Sequence, residues 1–184
     1  MFESTRKYLG AHAARFTFRK NIDSSKPLTD FFTGAKSVLI ILPLGYEHAL
    51  VAGTALKAIK TNSPGRHLTV VNSGTRGTPL ADPGATEVIR IDPPDLNSFY
   101  LPRKPLLERI LRRPYDVAVD LNLDFVLHTA YICRATGAPV RVGFGGPDPE
   151  RYNLERFYNV QLQLDRNRTP QAMYEKLAEY LAMF

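Results

Sequence analysis

Three loops of this 184-residue chain carry side chains suited to binding anions or hydroxyls. Asn72-Ser73-Gly74-Thr75-Arg76-Gly77 is polar and rich in glycine. Ser73 and Arg76 there suit an acidic sugar or a phosphate, and the segment also reads as a solvated connection. Asp120, Asn122 and Asp124 alternate along a short stretch. Paired carboxylates there can bind hydroxyls or a cation, and Asp124 also suits the N-cap of a helix from Phe125. Gly143-Phe144-Gly145-Gly146 has the composition of a phosphate cradle, with Gly145 as a ligand-binding candidate. Pro147 and Pro149 follow where a phosphate loop needs a helix N-terminus. A turn is therefore its first reading and a ligand loop its second. His12, His48, His67 and His128 lack ligand spacing, so no metal is expected. Cys133 reads as a buried small apolar residue. No nucleophile elbow and no cofactor fingerprint occurs, so no cofactor is expected.

The elements that must carry these loops alternate in type. Residues 2–20 read as a basic, weakly amphipathic helix, with Phe2, Leu9, Ala13 and Phe16 near helical spacing. Residues 21–35 read as a connector, punctuated by Pro27 and Gly34. Residues 38–42 form a continuous apolar run, the mark of a strand buried on both faces. A helical pattern follows, with Leu50, Ala55, Leu56 and Ile59 on its apolar side, stopped by residues 62–65. Further strands are expected at 68–71, 87–91, 117–121, 140–142 and 159–164. Further helices are expected over 96–113, 125–136 and 169–183, the first broken near Pro102 and Pro105. This alternation implies one doubly wound α/β domain, a parallel sheet of five or six strands with helices on both faces. Ligands of such sheets sit beyond the carboxyl ends of the strands. That rule selects residues 43–48 with Gly45, residues 72–77, residues 122–124 with Asn122, and residues 143–149.

Composition narrows the function classes. The length favours one domain with its own core. One cysteine excludes an internal disulfide framework and fits a reducing compartment. No apolar run reaches the roughly 18 residues of a spanning helix, and the start MFESTRKYLG has no signal-peptide h-region. The expected location is cytoplasmic, with peripheral attachment at the inner membrane face as an option. The net charge of +6 is local. Residues 1–20 and residues 103–113 each hold five cations against one acid, so the remainder is net negative. Three readings fit residues 1–20: an anchor on an anionic membrane surface, a dimer or partner helix, and a solvated tail. A helix packed on its own domain fits equally. Nucleic acid is disfavoured as a partner because no motif with recognisable spacing accompanies the charge.

Two stretches carry a family resemblance. Residues 37–71, SVLIILPLGYEHALVAGTALKAIKTNSPGRHLTVV, resemble the opening β-α-β unit of glycosyltransferase family 9, the heptosyltransferase-like enzymes of bacterial envelope polysaccharide assembly. Residues 115–144, YDVAVDLNLDFVLHTAYICRATGAPVRVGF, resemble a later segment of that family, with Asp116, Asp120, Leu121, Gly137, Ala138, Arg141, Gly143 and Phe144 in register. The likeness runs from about Lys36 to the C-terminus. It implies a Rossmann-like domain over 36–184 and leaves the basic helix and connector over 1–35 outside the likeness.

The family combines two such domains in a GT-B arrangement, an acceptor half and a nucleotide-sugar half. The resemblance is to the acceptor half alone. The family's Gly-Asp, whose Asp is regarded as the base for the acceptor hydroxyl, falls on Glu47-His48. An imidazole can serve as a base near neutrality, oriented by a neighbouring carboxylate. A degenerate site is the stronger expectation at His48. The implied function is a glycosyltransferase-like acceptor domain, not catalytic alone. It would bind a glycan acceptor or nucleotide sugar, with a separate donor-domain chain or a homodimer as partner. The alternative is a nucleotide-, polyanion- or protein-binding α/β domain with no role in glycosyl transfer.

Overall fold

The computed structural model describes residues 2–20, 23, 32, 34–61, 65–72, 85–145, 154–163 and 169–183. Its strands are β1 (Ser37–Ile41), β2 (His67–Asn72), β3 (Glu87–Arg90), β4 (Val117–Asp120), β5 (Val140–Gly145) and β6 (Val160–Gln163). Its helices are α1 (Phe2–Thr17), α2 (Tyr46–Thr61), α3 (Lys104–Ile110), α4 (Leu127–Ala135) and α5 (Pro170–Met183). The six strands form one sheet in the order β3-β2-β1-β4-β5-β6, and every pairing is parallel. This is the doubly wound architecture expected from the alternation of elements. Among the described residues no helix is long and apolar enough to cross a membrane.

Period-two alternation along the strands divides the core in two. Val38, Ile40, Val70, Val117, Val119 and Val142 face one layer, built from Ala52 and Leu56 of α2 and Tyr174, Leu177 and Leu181 of α5. Leu39, Ile41, Val71, Ile89 and Ala118 face the other, built from Leu106 and Ile110 of α3 and Ala130 and Cys133 of α4. Cys133 is buried there, its thiol directed at the Ala118 carbonyl at 3.8 Å.

α1 joins this second layer through small residues. Ala11, Ala14 and Phe18 are buried, whereas Leu9 and Phe16 face outward. Phe18 meets Tyr131 of α4 with ring centres 4.8 Å apart. About two turns earlier Gly10 lies against Leu127 and the Phe99 carbonyl, where a Cβ would overlap that backbone oxygen. α1 therefore runs beside α4 in the same direction, Gly10 meeting Leu127 and Phe18 meeting Tyr131, and its N-terminal turns reach the carboxyl end of the sheet. Just beyond it, Asp23 accepts hydrogen bonds from Arg134 at 2.6 Å and Arg141 at 2.5 Å.

Several expectations change. The helix expected over 96–113 shrinks to α3, preceded by a short 3-10 turn at Pro93–Asp95. Pro102 and Pro105 lack the N–H a helix interior needs, and Pro105 fits the first turn, where that donor is surplus. Between them and the 3-10 turn, Asn97 Oδ1 accepts the N–H groups of Phe99 at 2.9 Å and Leu101 at 3.1 Å, holding a loop in place of a turn of helix. Leu50, expected on the apolar side of α2, is 57% exposed, because the buried stripe is Ala49, Ala52 and Leu56. Asp124 caps nothing: α4 begins at Leu127 behind Val126, without a side-chain cap. Gly143 and Gly145 belong to β5 rather than to a turn. At the Gly143 position a Cβ would come within 2.7 Å of the Tyr158 ring, so close packing, not loop flexibility, accounts for glycine there.

Candidate functional site

The sheet reverses its winding between β1 and β4, which opens a crevice beyond their carboxyl ends. A cavity of about 510 Å³ lies there. Leu44 enters it from the loop after β1, and Phe125, Val126, Leu127 and His128 enter from the start of α4. Tyr100 comes from the loop before α3, and Ser4, Lys7, Tyr8 and Ala11 come from α1. The N-terminal helix is thus one wall of the crevice.

A buried polar network fixes the floor beside this cavity. Asn122 Oδ1 accepts the Leu44 N–H at 3.1 Å, and its Nδ2 donates to Asp120 Oδ1 at 2.7 Å and Thr129 Oγ1 at 3.4 Å. Asp120 Oδ1 also accepts the Asn122 backbone N–H at 3.0 Å, and Oδ2 accepts the Tyr158 hydroxyl at 2.7 Å. Burial pushes the Asp120 carboxyl above its ordinary pKa, against the opposing effect of these donors. Both Asn122 amide ends are therefore engaged inside the protein, holding the loops after β1 and β4 together.

The cavity walls combine aromatic faces with few polar groups. Tyr100 has a φ of 60°, a left-handed conformation that costs a non-glycine residue about 1–2 kcal/mol. Its ring lies 5.3 Å from the Lys7 ammonium, which also pairs with Glu3 at 2.9 Å. His128 is largely buried; that burial, aided by the Lys7 charge, lowers its pKa to about 4. Its imidazole is neutral at pH 7 and offers one donor and one acceptor.

The residues singled out from sequence fall in different places. Gly45 and Glu47 are exposed and His48 is half-buried, all at the loop and first turn that lead into α2. Leu44, beside Gly45, lines the cavity, whereas Gly45, Glu47, His48, Asn122 and Gly145 do not. Gly145 is buried at the end of β5. Ser73, Arg76 and Gly146 lie outside the described residues. Among the described residues no group of three or more His, Cys, Asp or Glu side chains is placed to hold a metal ion.

Lys7, Tyr100 and His128 were not anticipated. The strand-end rule pointed to residues 122–124, and α4 starts three residues later, so the wall begins just past that window. Tyr100 and Lys7 carry no local motif. They meet only because α1 folds back along α4.

No family model and no curated protein sequence matches the chain. Solved structures do. The chain is similar to a family 9 glycosyl transferase from Veillonella parvula, at 18% identity and a TM-score of 0.60, over 81% of this chain and 42% of that one. It is similar to the E. coli heptosyltransferase WaaC with ADP-2-deoxy-2-fluoro heptose, at 18% identity and a TM-score of 0.58, over 78% and 47%. It is also similar to the E. coli ADP-heptose LPS heptosyltransferase II, at 20% identity and a TM-score of 0.54, over 77% and 40%. The chain spans less than half the length of each of these neighbours. It has the fold of part of a family 9 glycosyltransferase chain, the family its sequence resembles.

Proposed function

We propose that this domain is the acceptor-side part of a glycosyl-transfer site and that the crevice between β1 and β4 holds a sugar. The observation that carries this reading is the cavity itself, at the switch point where doubly wound sheets bind ligands. Tyr8, Tyr100 and Phe125 offer aromatic faces to the C–H face of a pyranose ring. Neutral His128 and Ser4 offer donors and acceptors to its hydroxyls, and Lys7 offers a cation to a carboxylate or phosphate.

In this reading a nucleotide sugar is presented by a second domain, and the isolated domain binds without transferring. The ligands named for the WaaC structures, ADP and ADP-2-deoxy-2-fluoro heptose, make ADP-heptose the first donor to try. His48, with Glu47 beside it, is the candidate base for the acceptor hydroxyl once both halves meet. The second reading, a nucleotide- or polyanion-binding domain, is favoured by Lys7 at the cavity.

A backbone amide NMR titration of the full chain separates them. Heptose, heptose 7-phosphate, ADP and ADP-heptose are added in turn. The sugar reading expects Lys7, Tyr100 and His128 to shift with the unphosphorylated sugar as well as the phosphorylated one, and His128→Ala to remove the response. Shifts with ADP and not with any sugar support the second reading. Absence of sugar shifts at these residues overturns the first. Transfer or hydrolysis by the purified chain, lost in His48→Ala, would overturn the claim that it does not act alone.

A further inference from the structure

The two basic stretches, about a hundred residues apart in sequence, belong to the same helical layer. α1 packs on α4, and α3 covers the same face of the sheet through Leu106 and Ile110. Arg6, Lys7, Arg19 and Lys20 of the N-terminal segment are exposed, as are Arg103, Lys104, Arg109 and Arg112 around α3. Some of this charge is locally paired: Lys7 with Glu3, Lys104 with Glu108, Arg109 with Asp95, and Arg113 with Glu87. The opposite layer is balanced, since α2 and α5 carry Lys57, Lys60 and Lys176 against Glu47, Glu175 and Glu179. The domain is therefore electrically two-sided.

The basic side also carries apolar side chains that the core does not use. α1 has buried its narrow face of Ala11, Ala14 and Phe18, so docking on the domain does not cover the other face. That outer face reads Arg6, Leu9, Ala13 and Phe16, at spacings of three and four along one stripe, with Arg19 and Lys20 in the turn that follows the helix. Leu9 is 49% exposed and Phe16 63% exposed, and the Arg19 guanidinium lies 3.7 Å from the Phe16 ring centre. An apolar stripe ended by long cations suits an interface with hydrocarbon below and anionic headgroups around it, because the cations reach the headgroups while their stems and the rings stay apolar.

We propose that the α1–α3 layer docks on an anionic membrane surface, with Leu9 and Phe16 entering the headgroup boundary. Charge complementarity selects the membrane, since the side presented is basic and the far side is neutral. The inference stands independently of what fills the cavity, and its test contains no sugar or nucleotide.

The test is flotation of the full chain with phosphatidylcholine vesicles, with and without phosphatidylglycerol. The chain should float with the anionic vesicles only and be released at raised ionic strength. Each cation near such a surface contributes about fivefold to partitioning, so Arg6→Glu with Arg19→Glu should weaken flotation by about tenfold or more. Phe16→Ser should weaken it at low ionic strength, where the unmodified chain floats. Lys60→Glu with Lys176→Glu, on the opposite layer, should leave it unchanged, and circular dichroism checks that each variant is folded. Failure of the unmodified chain to float, equal flotation with neutral vesicles, or equal loss in the opposite-layer variant would each overturn the proposal. So would binding to a single-stranded RNA oligomer that the same α1 variants abolish while the unmodified chain ignores vesicles.

Discussion

The side-chain oxygen of Asn122 accepts the backbone N–H of Leu44 at 3.1 Å, joining the two loops that flank the reversal of the sheet. The same amide donates to Asp120, whose carboxylate is buried. Asn122→Ala leaves the Leu44 donor and part of Asp120 without partners. A loss of about 1–3 kcal/mol is expected, read as a lower urea midpoint with an unchanged slope. Asn122→Asp should be worse at pH 7, because two adjacent buried carboxyls cannot both ionise, and should recover toward Asn122→Ala as the pH falls toward 4. A pH-independent gap between the two variants would show that Asn122 does not face the Asp120 carboxyl as described.

Gly143 sits against the Tyr158 ring, three of whose atoms lie 2.7–2.8 Å from where a Cβ would be. Tyr158 cannot yield easily, since its hydroxyl donates to Asp120 at 2.7 Å. Gly143→Ala should therefore cost about 1–3 kcal/mol by overpacking. Combining it with Tyr158→Leu should cost less than the sum of the single changes, since the leucine makes room while losing the hydroxyl. Additive costs in that double-mutant cycle would mean the two positions do not compete for space.

The parts of the fold legible in the sequence were those with one strong physical signal. Residues 38–42, 68–71 and 117–121 are nearly all apolar, as strands covered on both faces must be, and their alternation with helices implied the parallel order. The seating of α1 was not legible in the same way. Its buried face is made of Gly10, Ala11 and Ala14, suited to closeness to the Phe99 backbone and Leu127 rather than to hydrophobicity. The larger residues Leu9 and Phe16, which dominate any hydrophobic pattern, lie on the opposite face. The cavity was legible by location and not by residue. Topology pointed to the strand ends, while Lys7, Tyr100 and His128 come from segments that share no motif.

Asp23 bridges two buried guanidiniums, Arg134 and Arg141, whose side chains are 5% and 2% exposed. Arg141 also donates to the carbonyls of Ala138 at 2.6 Å and Phe157 at 3.0 Å, so Asp23 completes an otherwise internal set. Partial burial works against the Asp23 carboxylate, but the two arginines outweigh it and hold its pKa below the ordinary value. Asp23→Asn removes the charge and leaves two cations close together. A loss of about 2–3 kcal/mol is expected, below the range for fully buried pairs because Asp23 is one-third exposed. Hydrogen exchange should show lost protection in α1, the helix that Asp23 follows. Unchanged exchange there would mean the clamp does not help to seat the helix.

His128 connects the cavity to pH. Burial, aided by the Lys7 charge, lowers its pKa to about 4, whereas an unfolded histidine titrates near 6.5. A depressed folded pKa means that the unfolded chain binds the extra proton first. The stability this group contributes is therefore fully present above about pH 6.5 and declines as the pH falls toward 4. The full effect is about 3 kcal/mol, since each tenfold change in proton affinity is worth about 1.4 kcal/mol. Urea midpoints at pH 7 and pH 4.5 should differ markedly in the unmodified chain. His128→Gln keeps a neutral polar side chain and should remove most of that difference while changing the pH 7 midpoint little. The same window applies to ligand binding, because a protonated His128 loses its acceptor and adds a second cation beside Lys7. Sugar-induced NMR shifts at Tyr100 should weaken below pH 4.5 in the unmodified chain. A pH difference that survives in His128→Gln would assign the acid sensitivity to other groups.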